Sequence, residues 1–497
     1  MSKKTIFYDG TCAACSNIML RIDRSKKRNS FNKVDLSSGK LPQGISKEKL
    51  EKEIHVIDSK GKLHRNFDAL LTILEEYPKF QILIVLGRLP GFYQLGVIGY
   101  KIFAANRHFI WGKMGRILYT KIAVALGFLA SIILTEKLWM ANRSFPLVPI
   151  FPFIPMQPAF ADYYIFFALL LLLITITLLP NPRKVILVFT CLCALLFCFD
   201  INRLQSFNYQ FFFMLIALGL FSWNYKDIAK ARVVLNSCQL IIICIYFWGG
   251  LQKLNLAFLL ISFPWFIEPI TKLLPEGANH ILFLTGVIVP FFEAGLGLGL
   301  LFKRIRQYAV IAATALHLMI LYNLGPLGHN YAFSIWPWNI DMVLLLFILF
   351  WKDDASWKEI LWNKNFAFQK VILILFGFLP LFSFFNAWDS YLSFSMYAGN
   401  TNYASIVFTG NNVQSLPYKI SRYTIKGPNN TTVLNIPAWA YDDFNVLAYP
   451  ETRVYKDVGK YVCKSVTDKS GVELYIQGEK TLFNADNPSS YSCAELE

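Results

Sequence analysis

Residues 6–15 read IFYDGTCAAC, and this stretch decides what the first hundred residues are. IFYDG has the apolar and aromatic composition of a strand, and a helical pattern runs from Ala13 to about Ser25. The turn between them puts Cys12 at a helix N-terminus. There, unsatisfied N–H groups and the positive end of the dipole favour the thiolate, the species that attacks a disulfide. Cys15, one turn on, is placed to resolve the mixed disulfide. Asp9 either caps the helix or raises the Cys12 pKa by its charge. Two plainer readings stay open. A zinc site needs two more ligands, and residues 1–112 hold no second C-x-x-C and no H-x-x-H, with His55, His64 and His108 scattered. A structural, chemically idle pair is the other.

Outward from this stretch, FNKVDL (31–36) reads as a second strand. KEIHVIDSKGKLH (52–64) reads as a hairpin turning at Asp58-Ser59-Lys60-Gly61, and FDALLTILEEY (67–77) has helical spacing. Strand, C-x-x-C helix, strand, hairpin and helix is the order of a thioredoxin-like α/β domain, assigned to residues 1–112.

The rest of the chain is different. Of the 497 residues 55% are hydrophobic and only 16% charged, where a soluble protein carries nearer a quarter charged, so a polytopic membrane class follows. The net charge of +16 does not point to nucleic acid, because the basic residues sit in short clusters between apolar runs. No apolar signal segment follows MSKK, so the N-terminus is expected in the cytoplasm. Nine helical spans are expected near 119–135, 162–180, 184–200, 208–223, 233–250, 281–302, 307–325, 338–351 and 370–386, a transmembrane domain over 119–386. Nine spans put the C-terminus outside. The expected outer connections hold only Lys137, Arg143, Arg203, Lys253 and Lys272, against fifteen basic residues on the inner ones, which supports that orientation. Residues 387–497 turn polar, with strand-like SYLSFSMY, YASIVF, TTVLNIP and GVELYIQ and a helix in PETRVYKDVGKYVCKSV. They are expected to form a small extracytoplasmic, β-rich α+β domain. Cys463 and Cys493 would then lie in an oxidising compartment and are a disulfide candidate. Cys191, Cys193, Cys198, Cys238 and Cys244 lie in apolar runs and read as buried small hydrophobes.

Ionisable residues inside spans are costly and stand as functional candidates. Lys253 ends the fifth expected span in IYFWGGLQKLN, where Gly249 and Gly250 leave space over its side chain. Glu293 and His317 lie mid-span, and Asp341, with Trp336, Trp338 and Asn339, opens the eighth. Plain alternatives are snorkelling of Lys253, one interhelical hydrogen bond for His317, and structural pairing of Glu293.

Two stretches carry family resemblances. YDGTCAAC, FDALLTIL (67–74) and YKIFAANRHFIWG (100–112) together resemble the DCC family of thiol-disulfide oxidoreductase-like domains, whose hallmark D-x-x-C-x-x-C is here Asp9, Cys12 and Cys15. The resemblance covers roughly residues 3–112 and implies a thioredoxin-like fold and thiol–disulfide exchange with a cytoplasmic protein or small-molecule partner. No proline stands just before HVID, so the cis-proline of thioredoxins proper is not evident. YFWGGLQKLN, PFFEAGLGLGLL, TALHLMI and WPWN resemble the HTTM group, bacterial relatives of the vitamin K-dependent γ-carboxylase, over about 119–350. That resemblance implies a bacterial inner membrane. It also implies a catalytic base at Lys253, with Glu293 and His317 beside it, and a quinone-like or lipid-soluble ligand. No histidine lies between 109 and 279 and the tail is short, so γ-glutamyl carboxylation is not expected. No metal and no firm cofactor is expected. The whole-chain expectation is a membrane-bound thiol-disulfide oxidoreductase; the alternative is a transporter or assembly factor with a redox-sensing C-x-x-C.

Overall fold

A computed structural model of the protein describes residues 3–8, 13–23, 25, 27–36, 53–110, 113–155, 157–223, 227–410, 412–478 and 488–496. The chain forms two compact units, Met1–Leu118 and Tyr119–Glu497.

In the first unit the strands are β1 (Lys4–Tyr8), β2 (Phe31–Asp35), β3 (His55–Ile57) and β4 (Leu63–Arg65). They lie in the order β2-β1-β3-β4. β1 runs parallel to β2 and antiparallel to β3, and β3 pairs antiparallel with β4. A parallel pair needs a crossover, and helix α1 (Ala13–Asp23) lies in it. The β3–β4 turn is the expected one: Asp58 donates its N–H to the Lys62 carbonyl, and Gly61 takes φ +82°. Helix α2 (Asn66–Leu74) covers the sheet, and Ile6, Met19, Ile22, Phe31, Val56 and Ile73 form the core. Lys4, mostly buried, ties β1 to the end of α2 through the Thr72 carbonyl at 2.8 Å and the Glu75 and Glu76 carboxylates at 3.0 and 3.1 Å. Helices α3 (Gln81–Arg88) and α4 (Phe92–Ile110) follow. Between them Pro90 lacks an N–H and Gly91 stands at φ +90°, which ends the first helix and turns the chain.

Helix α5 (Lys113–Leu134) leads into the second unit. There follow α6 (Asp162–Leu178), α7 (Arg183–Phe199), α8 (Ser206–Gly219), α9 (Ile228–Gln252), α10 (Phe263–Thr271), α11 (Glu276–Leu284), α12 (Val289–Leu301), α13 (Arg306–Leu324), α14 (Ile335–Phe350) and α15 (Ala367–Ile372). Among the described residues five segments are long and apolar enough to cross a membrane: Gly115–Leu134, Ala159–Leu178, Ile228–Gln252, Arg306–Leu324 and Ala367–Phe385. The other expected spans fall on shorter or broken helices. The 281–302 segment bends by 54°, at a 3₁₀ turn just before Pro290 in the first turn of α12. The last span is regular only through α15, then widens over Leu373–Phe378 and tightens over Leu379–Phe385, which contains Pro380.

The polar C-terminal segment builds a second, antiparallel sheet of β5 (Tyr403–Phe408), β6 (Thr424–Lys426), β7 (Thr432–Asn435), β8 (Val472–Gln477) and β9 (Ser489–Ser492), ordered β6-β7-β5-β8-β9. Helix α16 (Ile436–Phe444) begins where the Asn435 side chain accepts from the Ala438 N–H, cutting the expected TTVLNIP strand short. Helix α17 (Thr452–Ser465) lays Val454, Val458 and Val462 inward. SYLSFSMY is not a strand. Its residues form a 3₁₀ turn at Tyr391–Ser393, with Phe394 and Tyr397 at positive φ. The Phe394 ring meets Tyr209 and Phe376, so packing against the helices overrides the alternating pattern.

This C-terminal part sits on one end of the helices. Asn445 donates to Leu134 O, the Phe145 N–H to Asp443, the Tyr449 N–H to Asn202, Asn255 to Ala398 O, and Ser334 to Asn445 O. At the opposite end Lys121 donates to Thr177 O and Leu179 O, Arg306 pairs with Asp353, and Arg232 pairs with Asp354 and Glu359.

Candidate functional sites

Two groups of side chains carry chemistry, one in each unit. In the first, Asp9 and Cys12 lie outside the described residues. Ala13, the residue after Cys12, opens α1. Cys15, Met19 and Ile22 recur at helical spacing and are all buried, so Cys15 lies on the face of α1 that makes the core. Two of the histidines have other partners. His55 is buried with Nδ1 on the Glu53 carbonyl at 2.9 Å. His64 stands between Asp68, 2.6 Å from Nδ1, and Asp58, 3.1 Å from Nε2. Partial burial opposes charge on His64, but the two carboxylates outweigh it and hold its pKa above the ordinary value. The His64 hydrogen bond in turn lowers Asp58 to about 2. Among the described residues no three His, Cys, Asp or Glu side chains are grouped to hold a metal ion.

In the second unit the structure brings Lys253 and Glu293 together. Lys253 Nζ lies 2.8 Å from Glu293 Oε2 and donates to the Gly249 carbonyl at 2.9 Å. The space that Gly249 and Gly250 leave is not open above the lysine, as the sequence suggested. A Cβ at Gly249 would stand 3.0 Å from Glu293 Oε1, and one at Gly250 would stand 2.3 Å from the Ala294 nitrogen. Helix α12 fills that space and delivers the carboxylate. Gly297 repeats the device, closing on the Ile243 carbonyl at 2.8 Å.

Nearly two turns back from Lys253, on the same face of α9, is Tyr246, whose hydroxyl hydrogen-bonds His317 Nε2. His317 Nδ1 meets Asn339 Oδ1 at 2.7 Å, and Asn339 Nδ2 donates to the Ile335 carbonyl at 3.0 Å. Asn339 therefore offers an acceptor to His317. The imidazole carries its proton on Nδ1, accepts at Nε2, and Tyr246 donates. Lys253 with Glu293, and Tyr246 with His317 and Asn339, thus form two groups on and around α9, α12, α13 and α14. The sequence reading missed Tyr246; its spacing of seven from Lys253 puts both on one helix face. Asp341 does not open its helix but lies nearly two turns inside α14, buried, with Oδ2 unpartnered among the described residues. It faces Gly127, where a Cβ would stand 3.1 Å from that oxygen. Cys463 and Cys493 are bonded to each other, fixing α17 to the end of β9. The remaining described cysteines of the helices are mostly buried, with Cys191 exposed.

A cavity of about 520 Å³ opens where the C-terminal part meets the helices, walled by Trp265, His329, Tyr331, Tyr391, Tyr397 and Tyr441, among others. Among the described residues no Asp, Glu, Lys or Arg lines it. His329 stacks on Trp265 at 4.4 Å and Tyr331 on Tyr441 at 4.6 Å. Burial, with neighbouring tyrosines behind it, pushes Tyr331 up to about 12, so this phenol is a neutral donor.

Residues 6–113 match the family model of the DCC1-like thiol-disulfide oxidoreductases. No curated protein and no solved structure matches the chain.

Proposed function

We propose that the protein is a membrane-bound thiol–disulfide oxidoreductase whose working pair is Cys12 and Cys15. The family match over residues 6–113 carries this reading. The β2-β1-β3-β4 order, with α1 beginning directly after Cys12, supports a thioredoxin-like arrangement. In the reaction the Cys12 thiolate attacks one sulfur of a partner disulfide and releases the other as a thiolate. The Cys15 thiolate then attacks Cys12 Sγ, closing the intramolecular disulfide and releasing the second partner sulfur. The partner is reduced by two electrons and the protein dithiol is oxidised.

Nine spans, with Cys12 in the cytoplasm and the C-terminal domain outside, complete the reading. Five apolar helices support a membrane protein. The segments after Leu134, Phe199, Gln252, Leu324 and Phe385, all expected outside, meet at the end where the C-terminal sheet sits, as alternating spans require. Arg143 pairs with Asp200, Lys253 with Glu293 and Lys272 with Glu268, so even the few outer cations are engaged in pairs. Differential alkylation of Cys12, Cys15, Cys463 and Cys493 in intact cells tests this reading. A membrane-impermeant reagent should miss all four until the membrane is opened, and then label Cys12 and Cys15 only. Labelling of Cys12 from outside would overturn the orientation. No exchange between Cys12 and any dithiol or disulfide couple would overturn the activity.

A second reading concerns the membrane unit: an HTTM-like, γ-carboxylase-like bundle holding a quinone-like or lipid-soluble ligand near Lys253. The Lys253–Glu293 pair and the Tyr246–His317–Asn339 group support it. The ion pair with Glu293 limits it, because Lys253 acts as a base only after passing its proton to that carboxylate. Ligand binding unchanged by Lys253→Ala would discard it.

A further inference from the structure

We infer that the helix pair α3–α4 is a membrane-docking element, which seats the first unit on the headgroups and upper acyl chains of anionic lipid. Its inner side is fixed to the domain. Phe67 of α2 projects between the two helices, where a Cβ at Gly96 would stand 2.3 Å from its Cε1 and one at Gly87 would meet its Cζ at 3.4 Å. The Phe67 ring packs edge-on against Tyr93 at 6.1 Å. The Tyr100 hydroxyl accepts the Ile54 N–H at 2.8 Å, at the edge of β3. Only small residues let the pair lie this close, so its inner face is set by the domain core.

The outer side is apolar and uncovered. Ile82, Val85, Leu89, Phe92, Leu95 and Ile98 are between 44% and 76% exposed. A soluble domain rarely presents so continuous an apolar face. Charge complementarity and chain continuity identify what covers it. From Tyr77 to Thr135 the chain has no Asp or Glu but carries Lys79, Arg88, Lys101, Arg107, Lys113, Arg116 and Lys121. Arg88 is paired with Glu75, and the other cations of this acid-free stretch suit anionic headgroups above acyl chains. The same acid-free stretch runs without interruption into the apolar segment Gly115–Leu134.

The pair is not one straight span. Its arms, Pro78–Arg88 and Phe92–Lys101, bend by 103°. At 1.5 Å per residue the first arm is about 16 Å long, roughly half of the ~30 Å hydrocarbon core. The pair enters one leaflet and returns, so the C-x-x-C stays on the side from which α5 departs. This inference stands on α3–α4 and does not rest on the thiol reading. If both hold, partners of Cys12 are those that reach the membrane surface.

The test uses the full chain reconstituted in vesicles of phosphatidylcholine and phosphatidylglycerol that contain a phospholipid with a diazirine in its acyl chain. After irradiation, peptides covering 78–101 should carry lipid adducts at a level within a few-fold of peptides covering 115–134, while peptides covering 53–66 carry none. The variant Val85→Glu/Leu95→Glu, whose side chains point away from the core, should lose most adducts on 78–101 and keep those on 115–134. Absence of lipid adducts on 78–101 in the wild-type protein would overturn the proposal. Zero-length cross-links from that segment to residues 119–497, or to a second copy, would identify the true occupant. Equal labelling in pure phosphatidylcholine would overturn the choice of an anionic lipid.

Discussion

The chain holds two cysteine pairs that look alike in composition and differ in spacing and setting. Cys12 and Cys15 are three residues apart at the start of a helix, where closing a bond orders almost no chain. Cys463 and Cys493 are 30 residues apart and bonded, one on the buried face of α17 and the other just after β9. The entropy removed from the unfolded chain grows with the loop closed, so the second pair is a staple and the first gains little stability from closure. On the function proposed for Cys12 and Cys15, the difference teaches that spacing and secondary-structure position, rather than the presence of two thiols, separate a redox pair from a structural one.

The largest effect that tests this contrast is on activity. Cys12→Ser should abolish thiol–disulfide exchange, and Cys15→Ser should leave a trapped mixed disulfide, seen as a gel shift that reductant reverses. Cys463→Ser should leave exchange intact, and loss of exchange there would break the contrast. Next in size is the partly buried ion pair between Lys253 and Glu293. Glu293→Gln leaves the partly buried Lys253 without its counter-charge and should cost up to about 3 kcal/mol, read as a lowered unfolding temperature in detergent. The double variant Lys253→Met/Glu293→Gln should recover much of that loss.

Loss of the staple comes close behind. Cys463→Ser should destabilise the C-terminal part by about 3 kcal/mol, measured by thermal unfolding or by faster proteolysis between residues 450 and 497. Smaller effects follow pH. In the C-terminal part burial, helped by Asp389, raises Glu451 to about 7. A carboxyl raised in this way adds stability below its unfolded value of about 4.5, and loses it as pH climbs through 7. The melting temperature should therefore fall across that window, and Glu451→Gln should flatten the slope. In the first unit His64 is held above its ordinary value by Asp68 and Asp58 against the opposing effect of burial. Its contribution is complete below about 6.5 and fades as pH rises through the folded value. NMR titration of the imidazole should place that value above 6.5, and Asp58→Asn should bring it down.

Much of the first unit was legible because its signals are local. IFYDG, FNKVDL and the hairpin turning on Gly61 have the periods and turn residues of their elements, and the strands and turn form where those signals lie. The C-terminal disulfide candidate was legible for a different reason: two isolated cysteines in a polar segment expected outside the cytoplasm. SYLSFSMY misled because its alternation of aromatic residues serves contacts with Tyr209 and Phe376 rather than a sheet face. Helix α16 was hidden by a short strand whose last residue, Asn435, is also the cap.

The membrane unit divides the same way. Hydropathy by itself located the apolar segments, since burial in lipid demands them. It could not tell a span from a helix cut by Pro290 or widened after Ile372, because those breaks depend on what packs alongside. Lys253, Glu293 and His317 could be picked out as costly residues, yet not as partners. Which of them meet is set by Gly249, Gly250 and Gly297, whose missing side chains let α12 approach α9. By itself the sequence determined the chemistry available: a C-x-x-C at a helix start, a basic acid-free approach to the first span, and buried ionisable groups. Only the tertiary structure decided the pairings, because contact between residues far apart in sequence is fixed by how closely backbones approach.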